Sequence, residues 1–124
     1  MPNHLHLIWK INELNGKETP HGSFLKYTAH EFKKALKKKD SKLLAGYAIE
    51  AHNKKQEFWQ RDPLAIKLFS KEMAFQKLTY LHYNPTSGKW QLVKEDIEYF
   101  YSSAKFYETG INDFSFLTDL IKEF

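Results

Sequence analysis

Two small groups of residues in this 124-residue chain could do chemistry. The first is His4-Leu5-His6. On a strand, residues i and i+2 point to the same side, so both imidazoles would face together. Two neutral imidazoles on one rigid face can hold a divalent cation. His-x-His also arises often by chance, and a pair of solvated histidines is the plain alternative. The second group is Tyr80 with Gln76 and Asn84, spaced i, i+4, i+8 on one face of a predicted helix. A tyrosine hydroxyl beside an amide oxygen is what metal-assisted phosphotyrosine chemistry requires. A surface tyrosine that packs sideways has the same spacing.

Several elements must position these groups. His4 to Ile11 alternates like a strand, with Leu5, Leu7, Trp9 and Ile11 on the face that can enter a core. Ser70 caps a predicted helix from Lys71 to about Tyr83, closed by Asn84-Pro85. Its apolar stripe is Ala74, Leu78 and Leu81, and Tyr80 looks away from that stripe. A longer helix is predicted from an N-cap at Ser23 to about Lys39, with Phe24, Leu25, Thr28, Phe32, Ala35 and Leu36 at helical spacing. Asn12 to Gly22 reads as a loop before it. Residues 41–56 could extend a helix or open a strand. Glu57 to Gln60 and Ala65 to Phe69 read as short strands, separated by the breaker Arg61-Asp62-Pro63. Thr86 to Lys89 reads as a turn, Gly110 as a break, and Phe114 to Ile121 as a short final helix. Strand, helix, strand, helix in so short a chain predicts a single α+β domain over residues 1–124.

Composition bounds the chemistry. At 42% apolar and 16% aromatic residues the chain should fold. With no cysteine, disulfides, thiolate metal sites and a cysteine nucleophile are excluded. No signal peptide and no membrane-length apolar run is visible, so a soluble intracellular protein is expected. The net charge of +4 is unevenly divided. Residues 1–94 hold 17 Lys/Arg against 8 Asp/Glu, and residues 95–124 hold 2 against 7. Seven lysines fall between Lys26 and Lys42. A basic face attracts polyanions, of which nucleic acid is the commonest in a cell. A lysine-rich solubilising helix face is the bland alternative.

Four motifs, in order, resemble the single-tyrosine HUH transposases, including the REP-associated type. Met1-Pro-Asn-His4-Leu-His6-Leu-Ile is similar to their His-hydrophobic-His strand. Phe58-Trp59-Gln60-Arg61-Asp62 resembles their aromatic strand. Lys77-Leu-Thr-Tyr80-Leu-His-Tyr-Asn84-Pro85 resembles their tyrosine helix, and Tyr101-Ser102-Ser103-Ala104 the Tyr/Trp-Ser-Ser stretch that follows. Together they span residues 1 to about 107, leaving an acidic C-terminal tail at 108–124.

The resemblance implies a ferredoxin-like sheet packed by helices. In that family a strand, a helix and a further strand precede the His strand, so this chain is expected to lack the N-terminal part of the domain. His4, His6 and Asn84 would ligate Mg2+ or Mn2+, and Tyr80 would be the nucleophile, with Tyr83 as runner-up. The implied reaction is cleavage and transfer of single-stranded DNA through a 5′-phosphotyrosine, as in DNA transposition and recombination. Lys26, Lys33, Lys34, Lys37, Lys38, Lys54, Lys55 and Arg61 would contact the DNA. Trp59 and Tyr83 could stack on bases, and Trp59 could equally be a core residue. The implied partner is single-stranded or hairpin DNA, in the bacterial cytoplasm at the nucleoid, with a homodimer among the arrangements allowed. Two other functions stay open: a DNA-binding remnant that has lost the chemistry, and a small interaction protein whose basic face meets an acidic partner.

Overall fold

The computed structural model describes residues 1–13, 16–51, 54–60 and 63–123, and at positions 50, 51, 54 and 55 it describes the backbone alone. The chain forms two compact units. Unit 1 is Met1–Trp9 with Ile66–Phe124, and unit 2 is Lys10–Ala65. No helix among the described residues is long and apolar enough to cross a membrane.

Unit 2 is organised by α1, Pro20–Lys39. The helix starts four residues before the predicted first helical position, Phe24. Thr19, not Ser23, is the N-cap, and its Oγ1 accepts from Gly22 N at 3.1 Å. Pro20 looks like a loop signal in the sequence. At the first helical position, however, its fixed φ suits the helix and its missing N–H has no bond to lose. Lys37, Lys38 and Lys39 occupy the last turn, where the helix dipole favours cations. The ambiguous stretch resolves into a short helix α2, Ser41–Ala45, and an antiparallel pair, β1 Ala48–Ala51 and β2 Lys54–Gln56. Ala48 faces Gln56 and Ala51 faces Lys54, with an irregularity between them. This two-stranded sheet is the only strand pairing among the described residues. The chain is thus α-rich with one small sheet, and a larger ferredoxin-like sheet is not seen among those residues.

Three predicted strands form no ladder among the described residues. The segment carrying His4 to Ile11 joins no strand ladder among the described residues. Leu5, Leu7 and Trp9, which alternation assigns to a core, are 49%, 48% and 45% exposed. Alternation specifies which face a strand would bury; it does not supply a partner to bury it against. Glu57 N donates to Tyr47 O at 2.9 Å, but pairing goes no further toward Gln60. Trp59 is held by α1 instead, its Nε1–H donating to Thr28 Oγ1 at 2.9 Å. Residues 65–69 are likewise not a strand.

Unit 1 is built on α3, Lys71–Tyr83, which starts and ends where its cap and Asn84-Pro85 predict. The chain continues into a single 3-10 turn, Asn84–Thr86, in which Pro85 is fully buried. A last helix, α4, spans Ala104–Thr109 and stops at Gly110, whose φ of +75° is the left-handed conformation that glycine adopts at no steric cost. The predicted helix from Phe114 to Ile121 is replaced by a 3-10 turn at Leu120–Glu123. Asn112 Oδ1 accepts from Phe114 N and Asp119 Oδ1 from Ile121 N, both at 3.0 Å. Such side-chain bonds compete with the helical ones.

Candidate functional site

Unit 1 brings four of the sequence-predicted residues together. Ser70 Oγ accepts from Met73 N at 3.2 Å and starts α3. Fully buried Ala74 and nearly buried Leu78 turn the apolar stripe inward. The opposite face is thereby presented to solvent, and Tyr80 on it is 57% exposed. Asn84 follows one turn later, its backbone N–H donating to Tyr80 O.

The histidines meet this face. The His4 and His6 rings lie edge to face with centroids 4.9 Å apart, and His6 meets Tyr80 edge to face at 6.0 Å. Asn84 Nδ2 donates to His6 Nε2 at 3.0 Å. His4 Nδ1 donates to Asn3 Oδ1 at 2.8 Å. Each partner fixes a tautomer: an amide N–H needs a lone pair on His6 Nε2, and an amide oxygen needs a proton on His4 Nδ1. Both rings in their neutral form therefore carry the ring lone pair on Nε2, and that of His6 is taken by the Asn84 amide. Partial burial holds the His6 imidazole below its ordinary range, and the charges of His4 and of the terminal ammonium act in the same direction. The uncharged ring is the form that binds a metal.

No protein family, curated protein or solved structure matches the chain.

What the cluster can do follows from its own donors. Two imidazole nitrogens and one carboxamide oxygen fit Mn2+, which accepts imidazole, better than Mg2+, which prefers oxygen. Among the described residues no group of three His, Asp, Glu or Cys could complete a metal site, so Asn84 is the third donor at hand. Its amide hydrogen now occupies the His6 lone pair, and a cation would have to displace it and turn Oδ1 inward. Tyr80, not Tyr83, is the tyrosine whose ring meets a histidine of this pair.

The basic residues fall into three groups. Lys26 is paired with Glu18 at 3.5 Å and Lys34 with Glu31 at 2.8 Å. The hydrogen bond between Lys34 and Glu31 raises the ammonium's pKa and lowers the carboxyl's. Lys33, Lys37 and Lys38 stand on α1 with no ion pair among the described residues. Arg61 and the side chains of Lys54 and Lys55 lie outside those residues. Trp59 packs on Phe24 and Phe32, with ring centroids at 6.3 and 5.7 Å, as a core residue would.

Sequence reasoning passes over His82. Its Nε2 shares a 2.9 Å hydrogen bond with Ser103 Oγ, and its ring lies 5.4 Å from that of Tyr107. Burial holds the imidazole below its ordinary range, against the pull of Asp96. The available signal was spacing: His82 stands midway between Tyr80 and Asn84, so it must point the other way.

Proposed function

We propose that the chain is a metal-dependent single-tyrosine DNA strand-transfer enzyme of the HUH type. The observation that carries this reading is the convergence of His4, His6, Tyr80 and Asn84 on one exposed surface, with His6 and Asn84 in contact across 78 positions of sequence. Tyr80 Oη attacks a phosphate of single-stranded or hairpin DNA. The O–P bond to the tyrosine forms and the bond to the 3′-oxygen breaks. The tyrosine loses its proton and the leaving oxygen gains one. A 5′-phosphotyrosine and a free 3′-hydroxyl result, and reversal onto another 3′-end rejoins strands. A divalent cation held by His4, His6 and Asn84 would offset charge on the attacked phosphate. Helix α3 aims Tyr80, and the lysines of α1 hold the DNA backbone. Such work would place the protein at the bacterial nucleoid.

The test is a denaturing gel with end-labelled hairpin and single-stranded DNA. With Mn2+ a protein–DNA adduct is expected, and with chelator it vanishes. An adduct that persists in Tyr80→Phe moves the nucleophile to Tyr83. A specific feature favours a second reading, the non-catalytic DNA-binding remnant: among the described residues only two imidazoles and one amide are available, and the amide covers a lone pair. DNA binding without any adduct across several hairpins decides for the remnant.

A further inference from the structure

The last turn of α3 is held on two opposite sides. Successive helical residues turn by about 100°, so His82 projects about 200° from both Tyr80 and Asn84. Tyr80 and Asn84 meet His6 on one side. On the other, His82 bonds Ser103 Oγ at 2.9 Å and rests on Tyr107.

The second contact is itself fastened. Ser103 stands at the N-cap position of α4, where a serine hydroxyl ordinarily accepts from its own helix. It makes no such cap, and its hydroxyl goes to His82 instead. Ser102 Oγ accepts the Ala104 N–H in its place, at 3.1 Å, and Ala104 is buried. The Tyr107 hydroxyl accepts from Leu120 N at 2.9 Å and reaches Thr118 O at 3.4 Å. His82 therefore docks on a seat tied at Ser103, at α4 and at the C-terminal segment.

We propose that His82 is a positioning residue: its bond to Ser103 and its seat on Tyr107 set the rotation of the last turn of α3, and so hold Tyr80 and Asn84 at His6. The consequence for catalysis rests on the reading of Tyr80 as nucleophile; the geometric claim does not. A helix end fixed on one face cannot rotate its other face away, whereas one released there can. The contact also links the acidic C-terminal segment, through Tyr107, to the helix that carries the tyrosine.

The experiment compares His82→Ala, His82→Gln and Ser103→Ala with the unmutated chain. Its first readout is the proton NOE between the His6 and Tyr80 rings, which requires neither metal nor DNA. Loss of that NOE in His82→Ala and Ser103→Ala, with its return in His82→Gln, is expected, because glutamine can still bond Ser103. An undiminished NOE in Ser103→Ala overturns the proposal, as does equal loss in His82→Gln. If His82→Ala fails to fold, Ser103→Ala carries the test, since it removes a single oxygen. The second readout is Mn2+ affinity, expected to weaken about tenfold in Ser103→Ala and to recover in His82→Gln. If the unmutated chain forms no DNA adduct, the strand-transfer reading fails, and the NOE series alone decides whether His82 positions the helix.

Discussion

Unit 1 buries Ala74, Leu78, Pro85 and Ala104, whereas no described residue of unit 2 is fully buried. In unit 2 aromatic rings do the packing instead. Phe32 meets Trp59 and Phe58 at 5.7 and 6.0 Å, and Tyr47 meets Phe58 at 4.8 Å. In unit 1 directional bonds such as Asn84–His6 and His82–Ser103 orient the side chains. A half-exposed aromatic cluster fixes less, but it suffices to present a row of lysines. Phosphate contacts need charge and rough register, while in-line attack needs exact placement. Under the proposed function the two units would divide the labour: geometry in unit 1, charge in unit 2.

The sharpest break of that division is Tyr80→Phe. It removes one hydroxyl from unit 1 and leaves the ring, its packing and every lysine in place. Covalent attachment should fall to nothing while DNA affinity stays unchanged in a filter or anisotropy assay. Parallel loss of affinity would mean that the two units share one function.

The complementary change is the triple substitution of Lys33, Lys37 and Lys38 by Gln. Each cation that neutralises a phosphate of a single strand contributes about 0.7 to the slope of log affinity against log salt. The triple variant should lose roughly 2 from that slope. Adduct formation should return at saturating DNA, because unit 1 is untouched. Lys26 and Lys34 should contribute less, since Glu18 and Glu31 already hold them.

How much of this was legible in the sequence divides along the same line. Helix α3 was readable to the residue because Ser70, the apolar stripe and Asn84-Pro85 are all local signals. The side-by-side histidines were readable because period-two spacing is local too. The sheet was not readable. Pairing depends on which distant segment lies alongside, and His4 to Ile11 shows a strand's alternation but joins no sheet among the described residues. Trp59 was ambiguous for a similar reason, because its partner Thr28 is 31 positions away. His82 was overlooked because nothing near it in sequence announces Ser103.

Trp59→Ala tests what holds unit 2 together. A fully buried tryptophan would cost about 3–5 kcal/mol, and Trp59 is half-buried, so about 2–3 kcal/mol is expected. Thr28→Val, which removes only the hydroxyl that accepts the indole N–H, should cost about 1 kcal/mol. Hydrogen exchange should show the loss in α1 and spare α3. Equal loss of protection in α3 would erase the distinction between the units.

The smallest effect comes from the two helix caps, one in each unit. Thr19→Ala and Ser70→Ala each remove an oxygen that accepts an N–H of the first turn, and each should cost about 1 kcal/mol at neutral pH. They should differ in their response to acid. The first turn of α3 contains Glu72, whose carboxyl is held below its ordinary range by its own backbone N–H and then by the Ser70 hydroxyl. A carboxylate whose pKa is lowered by folding stabilises the fold above its ordinary pKa, and that contribution disappears as pH falls through the lowered value. Ser70→Ala removes one of the two holds on that carboxylate. The gap in melting temperature between it and the unmutated chain should therefore be widest at neutral pH and narrow in acid. The first turn of α1 has no acidic residue, so the Thr19→Ala gap should stay constant over the same range. Melting curves between pH 7 and 3 make the comparison. Two gaps that narrow together would place the acid sensitivity elsewhere in the chain and leave the caps equivalent.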